Sequence, residues 1–346
     1  MIHPTLEKMI GQLFIVGFKG STVSKNHPIC VDITERNLGG VILFDRHLAT
    51  EATTNNIKGT AQLTQLTSAL QKISSTKLLI AVDQEGGRVN RFRQEFGFPV
   101  TPNAEELGLS TDTMSSTQCA SQTAGMLKPC GVNLNLAPVV DLNSNPTNPI
   151  IGKIGRSFSS TPKTVSDHAS AWIVEHRKAG ILSCLKHFPG HGSSKDDSHL
   201  GFVDITKSWQ TAELEPYNTL IDKGLADAIM VGHLYNHNLD PAYPATLSAL
   251  TINTLLREKL KFRGVVISDD MQMKAITDKY GLLEACIIAL KAGVDLVIIG
   301  NNLNYDPDIF TKIHKAVIQA VDKGVLNEDT IQSAWRRVQN YKSLIK

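Results

Sequence analysis

The sequence predicts an α/β fold, a single (β/α)8 TIM barrel spanning residues 1–346 as one domain. Three observations lead there. Eight short, near-continuous apolar runs recur along the chain. Segments with helical spacing lie between them. Polar, titratable residues gather where one run after another ends. Apolar runs of this kind are what strands buried on both faces look like. Eightfold alternation of strand and helix suggests a closed parallel barrel. An open doubly wound sheet is the alternative, but no break of the chain into halves favours it. Length alone suggests two domains, yet α/β barrels often exceed ~250 residues as one unit.

The elements follow in order. Gln12 to Phe18 is the first strand, Gly40 to Phe44 the second and Lys77 to Val82 the third. Ala61 to Ile73, between the last two, sets Leu63, Leu66, Leu70 and Ile73 on one helical face. Val132 to Val140 (VNLNLAPVV) is the fourth strand. The helix Thr161 to Ala179 follows, opened by a cap residue and a first-turn proline. Ile181 to Leu185, Ala228 to Val231, Gly264 to Ile267 and Val294 to Ile299 are strands five to eight. Glu284 to Ala292, Pro307 to Val325 and Asp329 to Ile345 have helical spacing. Lys19 to Asn26, His47 to Thr60 and Asn143 to Pro149 read as loops on one domain rather than linkers.

Composition narrows the function. The formal charge is only +2 and neither sign forms a long run, so no nucleic-acid partner and no membrane surface is expected. No segment approaches ~18 uninterrupted apolar residues. The N-terminal stretch has no basic leader before a long apolar core, so a signal peptide is not expected. Cys30, Cys119, Cys130, Cys184 and Cys286 are scattered and include no CxxC, which suits reduced thiols in a cytoplasm. A cytoplasmic monomer without cofactor or bound metal is the expectation.

The strand ends carry the chemistry. Strand three runs into Asp83-Gln84-Glu85-Gly86-Gly87-Arg88-Val89-Asn90-Arg91, and strand four ends at Asp141. Strand five ends at Lys186-His187, strand six at His233, strand seven at Ser268-Asp269-Asp270. In a barrel these ends share one mouth, the usual place of catalysis. Asp269 emerges from Val265-Val266-Ile267 and suits a nucleophile, a metal ligand or a helix cap. Asp270 behind it allows one of the pair to cap the next helix while the other faces the pocket. Lys186 and Arg156 are the cations expected to keep Asp269 ionised.

The stretch KHFPGHGSSKDDSHL, Lys186 to Leu200, adds a second centre. Asp197 and His199 are two residues apart, on the same side of an extended segment. The carboxylate then orients the imidazole and stabilises its protonated form, as a general acid/base requires. His187, His191, His199 and Asp197 also form a conceivable metal set, though Lys186 beside them opposes a divalent ion and no HExxH occurs. His191 fits a loop hydrogen-bonder, and His233 is open between site and wall.

Four blocks, DQEGGRVNRF, GRSF, KHFPGHG with DSH, and ISDDM, occur in that order. With them the chain resembles the bacterial β-N-acetylglucosaminidases of glycoside hydrolase family 3 over nearly its whole length. The resemblance implies a barrel enzyme that retains anomeric configuration. It implies Asp269 as nucleophile, His199 as acid/base and Asp197 as its activator. It implies sugar binding by Asp83, Arg91, Arg156, Lys186 and His187. The implied substrate is a peptidoglycan fragment, N-acetylglucosamine β-1,4-linked to anhydro-N-acetylmuramic acid with or without peptide, in cell-wall recycling. Residues after GRSF depart from the usual glycine, and the early loops are long. A metal-dependent hydrolase and a non-catalytic sugar-binding protein are the rival readings.

Overall fold

The apolar runs become the staves of a closed parallel barrel. The computed structural model describes residues 4–197 and 201–346. In chain order, α1 (Leu6–Gly11), β1 (Phe14–Gly17), α2 (Pro28–Glu35), β2 (Gly40–Ile42), α3 (Thr60–Ile73) and β3 (Leu79–Val82) build the first wall. Next come α4 (Ala104–Gly108), α5 (Met114–Leu127), β4 (Leu134–Asn135), α6 (Pro162–Lys178), β5 (Leu182–Ser183) and β6 (Leu185–Phe188). They are followed by β7 (Val203–Asp204), α7 (Glu215–Asp222), β8 (Ala228–Val231), β9 (Leu234–Tyr235) and a π-type helix, Leu250–Lys259. β10 (Val265–Asp270), α8 (Lys274–Tyr280), α9 (Leu282–Ala292), β11 (Leu296–Ile299), α10 (Ile309–Asp322) and α11 (Glu328–Ser343) complete the chain.

The strand order is β5-β4-β3-β2-β1-β11-β10-β8-β6. β5 and β6 are two halves of one stave, interrupted at Cys184. The first half pairs with β4 (Leu134 opposite Leu182) and the second with β8 (Leu185 opposite Ile229), which closes the ring. The expected eight staves are therefore present, all parallel. β1, β2, β3, β8 and β11 are buried throughout, as strands packed on both faces must be.

The expected fourth strand, Val132 to Val140, is a strand only over Leu134–Asn135, whereas two staves run longer than the sequence reading, and both carry the site. β6 continues through Lys186, His187 and Phe188, and β10 continues through Asp270, whereas the expected strands stop at Leu185 and Ile267. Each is bulged: Leu185 and Phe188 oppose Ile229 and Val231, and Ile267 and Asp270 oppose Leu296 and Ile298. An extra residue bends a strand and re-aims its side chains. The bulges thus deliver polar groups to the mouth from inside the sheet.

The other end of the barrel is sealed by buried polar and charged groups. Asp295 accepts from Arg257 at 2.7 Å, from Arg337 at 2.8 Å and from the Val266 N–H at 2.8 Å. Lys342 of α11 is buried and donates to Gln12 Oε1 at 2.7 Å and to the Gly39 carbonyl at 2.8 Å. Thr161 and Pro162 open α6 as expected, but the Thr161 hydroxyl makes no capping bond. Among the described residues no helix is long and apolar enough to cross a membrane.

Candidate active site

β3 leads into Asp83-Gln84-Glu85, whose two acids lie on one side, where both meet Lys186. Gln84 points the other way, fully buried, and organises the turn that follows. Its Nε2 donates to Asn90 Oδ1 at 2.7 Å, and its Oε1 accepts from the Arg91 and Phe92 N–H groups at 3.0 Å each. Arg91 is thereby returned to the mouth. Its Nη1 lies 3.7 Å from Asp45, while its Nε is buried without a partner among the described residues.

Lys186 enters from β6, only 2% exposed, and donates to Asp83 Oδ1 at 2.7 Å and Glu85 Oε1 at 2.6 Å. Arg156, from the loop after β4, grips Glu85 with Nε and Nη2, both at 2.8 Å. Its Nη1 donates to the Ile150 carbonyl at 2.9 Å. Burial alone pushes the Glu85 carboxyl up, but Arg156 and Lys186 outweigh it and hold the group well below the usual carboxylate range. Two cations and two carboxylates thus form a neutral, hydrogen-bonded wall.

His187 joins this wall. Arg156 Nη2 donates to its Nε2 at 3.2 Å, so the ring hydrogen sits on Nδ1 and goes to Asp141 Oδ2, 2.7 Å away. Asp141 also accepts from the His187 and His191 N–H groups, at 3.1 and 2.8 Å. Its burial raises its carboxyl's pKa, yet His187 and His191 turn the net shift downward. His191 Nδ1 meets Ser194 Oγ at 2.7 Å, the loop hydrogen bond expected of it.

Asp269 and Asp270 divide their work. The half-buried Asp269 lines the pocket, and its Oδ1 accepts from the Asp270 N–H at 2.8 Å. Asp270 accepts from the N–H groups of Gln272 at 3.0 Å and Gly300 at 2.9 Å. It therefore ties β10 to β11 instead of capping α8, whose N-cap is Met273. His233 Nε2 donates to the Asp270 carbonyl at 2.9 Å, so His233 supports the wall.

One pocket gathers Asp83, Glu85, Arg91, Arg156, Lys186, His187, His191, Asp269 and Asp270, with Phe44, Leu48 and Leu303 at its apolar parts. Of the expected site residues, Asp83, Arg91, Arg156, Lys186, His187 and Asp269 meet there. Asp197 is half-exposed on the loop after β6 and is not part of the pocket wall. His199 lies outside the described residues. Lys186 and Arg156, the cations expected beside Asp269, line the same pocket as it does; Lys186 also pairs with Asp83 and Glu85, and Arg156 with Glu85. Asp141 is named from sequence only as the end of strand four, and Glu85 and Asp45 are given no role there. Glu85 had a signal, its two-residue spacing from Asp83. Among the described residues no group of three His, Cys, Asp or Glu is placed to hold a metal ion.

A parallel barrel with an acid on a bulged strand end, inside a wall of neutralised cations and carboxylates, has the architecture of a glycoside hydrolase. The chain belongs to glycosyl hydrolase family 3: residues 5–341 match the family's N terminal domain. It is 37% identical over 268 residues to the β-hexosaminidase of Tolumonas auensis, covering 77% of this chain and 76% of that one. It is 32% identical over 335 residues to β-hexosaminidase A of Pseudoalteromonas piscicida, covering 90% of this chain and 54% of that protein. The chain thus spans only about half of the latter's length. Among solved structures, the family 3 β-N-acetylglucosaminidase of a Paenibacillus species matches with a TM-score of 0.89 and 32% identity, over 99% of this chain and 63% of that one. The β-N-acetylhexosaminidase of Beutenbergia cavernae matches with a TM-score of 0.84 and 30% identity, over 99% of both chains.

Proposed function

We propose that the protein is a retaining exo-β-N-acetylglucosaminidase, with residues 1–346 as one catalytic domain. Asp269 attacks the anomeric carbon. His199, protonated and held by Asp197, gives its proton to the leaving oxygen. Water, deprotonated by the neutral imidazole, then releases the sugar from Asp269. Most retaining enzymes use two carboxyl groups about 5 Å apart, and here an imidazole takes the place of one.

The observation that carries this reading is the position of Asp269 beside the Asp83–Lys186–Glu85–Arg156 wall. A sugar ring needs fixed donors and acceptors for its hydroxyls and amide, not a bare charge. Asp83, Arg91, Arg156, Lys186 and His187 are the binding residues in this reading. The names of the relatives favour an N-acetylhexosamine as the glycone.

A peptidoglycan fragment, with or without peptide, is the proposed substrate, hydrolysed by a monomer in the cytoplasm without cofactor or metal. Five buried, unpaired thiols support that location. The test compares an aryl N-acetyl-β-glucosaminide with the matching aryl glucoside, with chelator present. Turnover of the first alone is expected; loss of activity in chelator, or equal turnover of both, contradicts the reading.

A further inference from the structure

Glu213 is a buried acid that no step above uses. It lies on a single 3-10 turn, Thr211–Leu214, ahead of α7, and is 2% exposed. It stands against the stem of the loop that leaves β6. Glu213 Oε2 accepts from the Gly192 N–H at 3.1 Å. Gly190, at φ 124°, passes so close that a Cβ there would lie 2.6 Å from the Glu213 Cβ. One turn earlier, Trp209 Nε1 donates to the Pro189 carbonyl at 3.0 Å. The chain therefore leaves at residues 189–192 and is gripped there by its own return at 209–213.

The grip is complete at the peptide level. The His191 N–H goes to Asp141, the Gly192 N–H to Glu213, and both carbonyls accept from Asn148 Nδ2, at 2.7 and 3.2 Å. The chain between these two limbs carries Asp197 and His199. Glu213 and the Ser193 hydroxyl beside it are both buried. Burial lifts the Glu213 carboxyl to about 7; Ser193 and the Gly192 N–H oppose that shift, and the Asp141 charge adds to it. Tyr217, a neutral phenol, also faces it. A buried acid kept in the stem of this loop, against the Gly192 peptide and the close-passing Gly190, has its place fixed by the loop it holds.

We propose that Glu213 is a positioning residue: by fixing the Gly192 peptide it sets where the loop presents its acid/base imidazole. This rests on His199 being that acid/base. The test measures kcat/KM on two aryl N-acetyl-β-glucosaminides. One has a dinitrophenyl leaving group that departs without a proton, and the other an alkylphenyl group that needs one. Glu213→Ala should lose at least about tenfold on the second substrate alone, within the ~10²–10⁴ that general acid catalysis contributes. Glu213→Gln keeps an oxygen for the Gly192 N–H and should recover most of that loss. Equal loss on both substrates, or no loss on either, overturns the proposal. His199→Ala is the control. If it shows no dependence on the leaving group, the acid/base assignment itself falls; if it does while Glu213→Ala does not, only the role of Glu213 falls.

Discussion

The Lys186 ammonium lies 2.6 Å from the Glu85 carboxylate, with both side chains buried at the barrel mouth. Neither residue's charge is tolerable there alone, because removing one partner of a buried pair leaves the other without compensation. The pair, with Arg156 and Asp83 on either side, is what makes a polar wall stable in a mostly apolar barrel.

Glu85→Gln should therefore destabilise the protein at neutral pH, by about 3–5 kcal/mol for a broken buried pair. The folded-state pKa is depressed below its ordinary 4.5, so the carboxylate's contribution is fully present above that value and is lost as pH falls below it. Urea unfolding at several pH values checks this. The gap between wild type and variant should narrow in acid, and a gap that widens there contradicts the assignment.

Arg156→Lys keeps the charge but cannot make two parallel bonds to Glu85 while also donating to Ile150 and His187. The expected result is a KM about tenfold higher, roughly 1.4 kcal/mol of lost binding, with a smaller change in kcat. Steady-state kinetics decides it, and an unchanged KM would place Arg156 outside the sugar-binding wall.

Gly300→Ala tests the support beneath the proposed nucleophile. A Cβ at this position would lie 2.2 Å from Asp270 Oδ2, and the Gly300 N–H holds the same carboxylate. Asp270 must move, and its own N–H is bonded to Asp269. We expect kcat to fall by more than about tenfold, with a stability cost of about 1–3 kcal/mol from overpacking. Wild-type kcat in a folded variant would show that the Asp270 tether does not matter.

Lys342 gives a pH signature at the other end of the barrel. Burial lowers its pKa from the ordinary 10.5 to about 7. Between those values the unfolded chain holds a proton that the folded one does not, so this group makes stability rise with pH, by up to about 1.4 kcal/mol per unit. Lys342→Met should abolish that component in denaturant unfolding between pH 7.5 and 9.5. Parallel curves for wild type and variant would be the contrary result.

Much of this was legible in the sequence, and the exceptions have physical causes. Ala228 to Val231 is a strand with the boundaries its apolar residues suggest. The staves β6 and β10 run longer than the sequence indicated, because Lys186 and Asp270 are satisfied inside the structure by partners distant in sequence. A strand that continues through a lysine cannot be recognised until Asp83 and Glu85 are beside it. The helix α5 was missed because its buried face is built from Ser116, Cys119, Ala120, Thr123, Ala124 and Leu127, small residues that barely mark an apolar stripe. The strand ends named from sequence converge on one mouth, and Asp269 lines the pocket there. The role of Glu85 as the hub of the wall was not legible, since its partners, Lys186 on β6 and Arg156 in the loop after β4, are distant in sequence.

The proposed covalent chemistry is tested most directly by trapping. Incubation with a fluorinated N-acetylglucosamine analogue that forms but slowly loses a glycosyl ester, then peptide mass spectrometry, should place the sugar on the peptide containing Asp269, with Asp269→Asn unlabelled. A label on any other residue, or wild-type turnover by Asp269→Ala, would contradict the account.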